Sequence, residues 1–328
     1  MGMTTAPGVA ATPAPRQRSV RWLPKWLQTA AALRRLALAS VVANVVIVVT
    51  GGAVRLTDSG LGCPTWPSCT AKSLTPTKQY AIHGIIEFTN RQITFVLVAV
   101  ALATWVVAMV RRRERRLATL AALGIPAQAV LGGLTVLTHL NPWLVAAHFL
   151  LSAAIIAATF VLWWRLRVDD PAVASPATSQ AAPAVRILAQ LTTLVSAATL
   201  VIGTVVTGSG PHAGDKAADG TVHRTGLNVA SMAQLHADVV MILIGLTVGL
   251  VVLVRAVRVD PTIRRAADVL LGIELAQGVI GYTQYFLHVP PLLVGVHMLG
   301  ACLVWLAALN VVLRSGGSPA PASTLAAG

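Results

Sequence analysis

Charge is scarce in this chain. Asp, Glu, Lys and Arg together make up 11% of its 328 residues, whereas apolar residues make up 55% and mean hydropathy is +0.74. A soluble domain carries roughly 25% charged residues, so the composition excludes one and places the chain in a bilayer. Acid is the scarcer sign, with 11 Asp and Glu against 25 Lys and Arg and a formal net charge of +14. The excess does not point to nucleic acid, because the basic residues fall in short clusters between apolar runs instead of lining one soluble face. A cleavable secretory leader is not expected either. About 35 polar or basic residues precede the first apolar run, which is therefore expected to stay as a membrane helix. With only three cysteines and no short His pair, the sequence also lacks the four clustered ligands that a zinc site wants.

Long apolar runs, in contrast, are abundant. Spans of about 20 residues, enough to cross a hydrocarbon core about 30 Å thick, are expected near 36–55, 82–109, 117–137, 144–164, 187–207, 232–254, 266–286 and 292–313. Lys and Arg gather before the first span, from Arg111 to Arg116, at Arg165, Arg167 and Arg186, and from Arg255 to Arg265. The positive-inside rule then puts both termini in the cytoplasm. The expected fold is an all-α integral membrane protein of eight transmembrane helices arranged as two four-helix bundles. Residues 1–35 read as a disordered, then basic, cytoplasmic segment that lies along membrane lipid. Residues 36–167 form the first bundle, 168–186 a linker, 187–314 the second bundle and 315–328 a disordered tail.

An internal repeat supports two similar halves. Gln128-Ala-Val-Leu-Gly132, His139, Pro142 and His148 recur 149 positions later as Gln277-Gly-Val-Ile-Gly281, His288, Pro291 and His297. A weaker echo links Gly52 and Thr57-Asp-Ser-Gly60 to Gly203 and Thr207-Gly-Ser-Gly210. Each half has an even number of spans, so both keep one orientation, with a pseudo-axis along the membrane normal.

The polar residues inside the spans collect in one layer near the outer surface. His148 and His297 each lie six residues, about 9 Å, inside their helices from Pro142 and Pro291. His236 enters from the same side, and His83, Glu87 and Asn90 follow an i, i+4, i+7 spacing on one helix face. Intramembrane His and Glu are costly and mark sites, although any one of them can simply satisfy a helix contact. Imidazoles on facing helices suit haem iron, each with its second ring nitrogen oriented by an acceptor. Glu87, among apolar surroundings, suits proton transfer; its plainer reading is an ion pair with Arg91. Glu274 reads as structural, and Asp238 as a partner of a ligand. Cys63 and Cys69, six apart in an outer loop, can close into a disulfide or stay as free thiols, and a redox role for the pair is open. Cys302 reads as packing, and His139, His212, His223 and His288 as solvated or capping residues.

These residues resemble the haem A synthase family from the first helix to the eighth. The carriers are Thr50-Gly-Gly-Ala-Val-Arg55, Thr57-Asp-Ser-Gly60-Leu-Gly-Cys63, Ile86-Glu87-Phe-Thr-Asn90-Arg91, Ala146-Ala-His148-Phe, Val205-Val-Thr207-Gly-Ser-Gly-Pro-His212, and His297. The resemblance implies oxidation of a ring methyl of haem O to a formyl group, by two successive hydroxylations, giving haem A for terminal oxidases. It implies haem b between His236 and His297 in the second half. In the first half it implies the substrate haem beside Glu87 as the catalytic carboxylate, with Arg91 as a propionate partner. It further implies a Cys63–Cys69 disulfide. The partners it implies are haem O synthase, a prenyltransferase, and a quinone or other electron acceptor in the cell membrane. A homo-oligomer is open, and nucleic acid is not expected.

One departure stands out. Family members commonly read Glu-x-x-His-Arg on the second helix, where this chain has Asn90. Either His148 alone binds the substrate iron, or His83, about 10 Å further out on the same face, supplies the second imidazole. A non-catalytic diheme cytochrome relaying electrons to or from quinone is the alternative function. A transporter fits less well, because its polar groups would sit at the midplane.

Overall fold

The computed structural model describes residues 24–77, 81–168, 181–212, 214 and 223–316. Expectations for residues 1–23, for 169–180 of the linker and for 317–328 of the tail lie outside the described residues. Eight α-helices account for most of the described chain. They are α1 (Ala30–Leu56), α2 (Ala81–Arg111), α3 (Arg115–Leu137), α4 (Pro142–Val168), α5 (Pro183–Ser209), α6 (Val229–Ala256), α7 (Pro261–Phe286) and α8 (Pro291–Ser315). Seven are long and apolar enough to cross a membrane. The exception, α7, is 26 residues long but carries Arg264, Arg265, Asp268 and Glu274. The chain is an all-α integral membrane protein.

Local chemistry sets the helix starts. Pro183, Pro261 and Pro291 occupy first-turn positions, where a missing N–H costs nothing. Thr29, Asn228 and Asp260 each accept a backbone N–H of the first turn with a side-chain oxygen, from Ala32, Ser231 and Thr262. Hydrogen bonds from Thr262 hold the Asp260 carboxyl below the usual carboxylate range. The turns that end α3 and α7 repeat one another. His139 and Leu140, and likewise His288 and Val289, adopt left-handed backbone. Leu140 N–H then donates to Thr135 O at 2.8 Å, and Val289 N–H to Gln284 O at 2.6 Å.

Each half closes into a ring. In the first, α1 packs on α2, α2 on α3, α3 on α4 and α4 back on α1; in the second, α5 to α8 do the same. Within each ring α2 stands diagonal to α4, and α6 to α8. The rings meet where α8 touches α1 and α4, and where α4 touches α5. Large apolar clusters zip the end of each ring that bears the basic residues. Leu33, Ala37, Val107, Ala108, Ala118 and Leu162 do so in the first ring, and Val185, Val254, Ile263, Leu270 and Val311 with their neighbours in the second. The opposite end, where α1, α3, α5 and α7 finish, carries the intramembrane histidines. Outward-facing Leu38, Val42, Phe95, Leu120, Leu194, Val252 and Val279 are exposed, which suits a lipid solvent.

Candidate functional site

Four helix pairs present the same device at the same depth. Each odd-numbered helix offers a glycine, five or six residues before its end, to a polar side chain in the early turns of the next helix. A Cβ on Gly132 of α3 would lie 3.1 Å from His148 Cε1 of α4, one on Gly203 of α5 3.2 Å from His236 Cε1 of α6, and one on Gly281 of α7 3.4 Å from His297 Cε1 of α8. In the fourth pair, a Cβ on Gly51 of α1 would lie 4.0 Å from Asn90 Nδ2 of α2. The glycines form the floors on which three imidazoles and one amide rest. Because α2 is diagonal to α4 and α6 to α8, Asn90 confronts His148 across the first ring and His236 confronts His297 across the second.

All four side chains are half-buried. His148 Nδ1, His236 Nδ1, His297 Nδ1 and Asn90 Oδ1 are fully buried without a hydrogen-bond partner. Leaving a buried polar atom unmade costs about 1–3 kcal/mol, so its repetition at equivalent positions points to a partner that the protein does not itself supply. Two glutamines set the helix register behind the rings: Gln128 Nε2 donates to His148 O at 3.0 Å, and Gln277 Nε2 to His297 O at 2.8 Å. Among the described residues no three His, Cys, Asp or Glu side chains gather to hold a bare metal ion. Diagonal imidazoles instead fit a metal that brings its own equatorial ligands, as haem does.

Glu87 and Arg91, an i, i+4 pair on α2, lie one turn before Asn90 and directly after it. Glu87 is 5% exposed. Its Oε2 accepts Cys63 N–H at 2.6 Å, and its Oε1 accepts Arg91 Nε at 3.1 Å and also Arg91 Nη2. Arg91 reaches further into the outer loop, donating to Cys63 O at 2.8 Å and Thr65 O at 3.0 Å. The ion pair is present, and Arg91 spends its guanidinium on Glu87 and the loop. The loop is closed by a Cys63–Cys69 disulfide. Trp66 from it lies against Gly133 of α3, where a Cβ would be 2.5 Å from Trp66 Cδ2.

The structure separates the other sequence candidates from this layer. His83 is exposed at the outer end of α2 and pairs through Nδ1 with Ser59 Oγ at 2.9 Å. Asp238 is exposed and accepts Gln234 Nε2 at 2.7 Å, away from His236. Glu274 is buried and accepts Thr247 Oγ1 at 3.0 Å. Cys302 is buried and free. His212 joins a strap between the halves: its Nε2 meets Val289 O at 2.8 Å, and Arg55 Nε donates to His212 O at 2.6 Å and Arg55 Nη2 to Thr207 O at 3.0 Å. Sequence reasoning missed the glycine floors and this strap. The repeat already contained Gly132 and Gly281, and its weaker echo contained Gly203; Arg55 stood in the Thr50–Arg55 motif of the resemblance, but nothing there told what it contacts.

Two rings of membrane helices, each with polar side chains at one level near the same end, define a polytopic all-α membrane protein. The chain belongs to the COX15-CtaA family of cytochrome oxidase assembly proteins, whose family model matches residues 34–309. It is similar to proteins named heme A synthase. The identity is 34% over 135 residues with that of Lysinibacillus sphaericus (strain C3-41), covering 40% of this chain and 43% of that one. It is 32% over 121 residues with that of Exiguobacterium sp. (strain ATCC BAA-1283 / AT1b), covering 35% and 40%. With that of Geobacillus kaustophilus (strain HTA426) it is 30% over 151 residues, covering 42% and 45%. The aligned stretches span less than half the length of these relatives.

Proposed function

We propose that this chain acts as a haem A synthase, oxidising a ring methyl of haem O to a formyl group by two successive hydroxylations. The observation that carries the reading is the pair of diagonal sites, His236 with His297 and His148 with Asn90, with a buried carboxylate one turn from Asn90. The second ring would hold haem b through His236 and His297, and the first would hold the substrate through His148. Haem, when bound, supplies the redox chemistry at iron. The chain's own residues orient it and shape the field around it. Glu87, engaged by Cys63 N–H and Arg91, presents a fixed negative charge within a water-poor ring, where such a charge stabilises positive charge developing on a porphyrin edge. Arg91 positions Glu87. The distribution of Lys and Arg supports cytoplasmic termini and haem sites toward the outer face of the cell membrane. Haem O synthase and a quinone are the partners this chemistry calls for.

A second reading, a non-catalytic diheme relay, draws on the same contacts: a carboxylate bound at both oxygens can serve only to hold the disulfide loop. Glu87→Gln decides between them. It removes the charge while keeping an acceptor for Cys63 N–H. The enzyme reading expects haem retained in the purified protein and formyl product lost at least tenfold, read by pigment extraction and chromatography. Product formation unchanged from the native chain would leave Glu87 a scaffold and sink the catalytic role.

A further inference from the structure

We infer that the Asn90 side of the first ring is a binding site for a small exogenous iron ligand, a site the second ring does not have. The inference rests on the haem reading above and on the equivalence of the four glycine-floored positions. Three of them carry an imidazole, and the fourth carries an amide. A carboxamide is a feeble ligand for haem iron, so in the first ring His148 alone would hold the iron and leave room for a small ligand, whereas in the second His236 and His297 would both hold it.

No other donor in the structure takes the place of the missing imidazole. His83 stands about 10 Å outward along α2, is exposed, and is committed to Ser59. Glu87 and Arg91 are committed to each other and to the disulfide loop. The Met298 thioether packs on Gly52 at the contact between α1 and α8, one residue around the helix from the Gly51 floor. His212 belongs to the strap. What remains at the open face is the Asn90 amide. Its buried Oδ1 has no partner, and its Nδ2 rests over a glycine. An amide offers an acceptor and a donor together, which suits a small polar molecule seated against iron.

Carbon monoxide is the direct probe. The full chain in detergent is titrated with ferric haem to saturation, reduced, and exposed to carbon monoxide while the visible spectrum is recorded. The native chain is expected to take two haem equivalents, about half of the total binding carbon monoxide and the rest remaining six-coordinate and silent. Asn90→His should convert the responsive half to a low-spin, silent form, while His83→Ala keeps the response. His148→Ala should abolish the responsive haem, which keeps the inference testable should Asn90→His fold poorly. Two silent six-coordinate haems in the native chain would overturn the inference and leave the haem reading intact; so would a His83→Ala variant that gains response. A chain that takes up no haem at all would overturn both.

Discussion

At the scale of single residues, the decisive feature is the distance between a glycine and the ring it faces. Contacts of 3.1–3.2 Å to a new Cβ force the neighbour to yield, whereas 3.4 Å is ordinary van der Waals contact. The two glycines of the second ring should therefore respond differently. Gly203→Ala presses on His236 Cε1 at 3.2 Å and is expected to shift the low-spin haem spectrum and reduce haem retained on purification severalfold. Gly281→Ala, at 3.4 Å from His297 Cε1, should retain haem at close to the native level. Parallel purification and pyridine haemochrome assay of the two variants checks this. Equal loss in both would mean that the floors do not position the rings.

At the scale of elements, the outer ends of α1, α5 and α8 are tied by one cation. Arg55, the last basic residue of α1, donates to Thr207 O at the end of α5 and to His212 O beyond it, and His212 Nε2 reaches Val289 O just before α8. Carbonyls at the end of a helix carry partial negative charge, so this arginine is neutralised without a carboxylate. Hydrogen bonds to a charged group contribute about 1.5–3 kcal/mol each. Arg55→Ala is expected to destabilise the chain by about 3 kcal/mol, seen as a lower Tm in a detergent melt. Arg55→Lys should recover only part of the loss, because an ammonium lacks the fork that reaches two carbonyls at once. A Tm unchanged in Arg55→Ala would show that packing of α1, α4 and α8 joins the halves without the strap. The Glu87–Arg91–Cys63 contacts act likewise within the first half, fastening the disulfide loop to α2.

At the scale of the whole molecule, polarity is segregated along the helix axes. Basic clusters and the tightest apolar packing share one end, and the polar layer with its glycine floors shares the other. This arrangement supports a topology with both termini on the cytoplasmic side and the loop containing Arg224 outside. A fluorescent protein that matures only in the cytoplasm should therefore fluoresce when fused after Gly316 and stay dark when inserted beside Arg224. The reverse pattern would invert the orientation and place the haem layer inward.

The eight helices were legible in the sequence because a span must be long and apolar whatever it packs against, and because the proline and cap residues that start helices act locally. The same holds for the 149-residue repeat, which told of two like halves before any contact was known. Even α7, whose acidic and basic residues lower its hydropathy, was readable from its place in the repeat. The layer of His83, Glu87, Asn90, His148, His236 and His297 could be counted along helices, since depth follows from 1.5 Å per residue. Direction could not. Whether His83 faces the ring or the loop, which helices stand diagonal to one another, and which loop carbonyls Arg91 reaches depend on how helices are rotated against neighbours distant in sequence. Side chains on one helix face part company once a loop such as Gly62 to Cys69 packs over them. Only the tertiary structure decided those matters, because hydrophobic length is a property of a segment, whereas a site is a property of surfaces brought together.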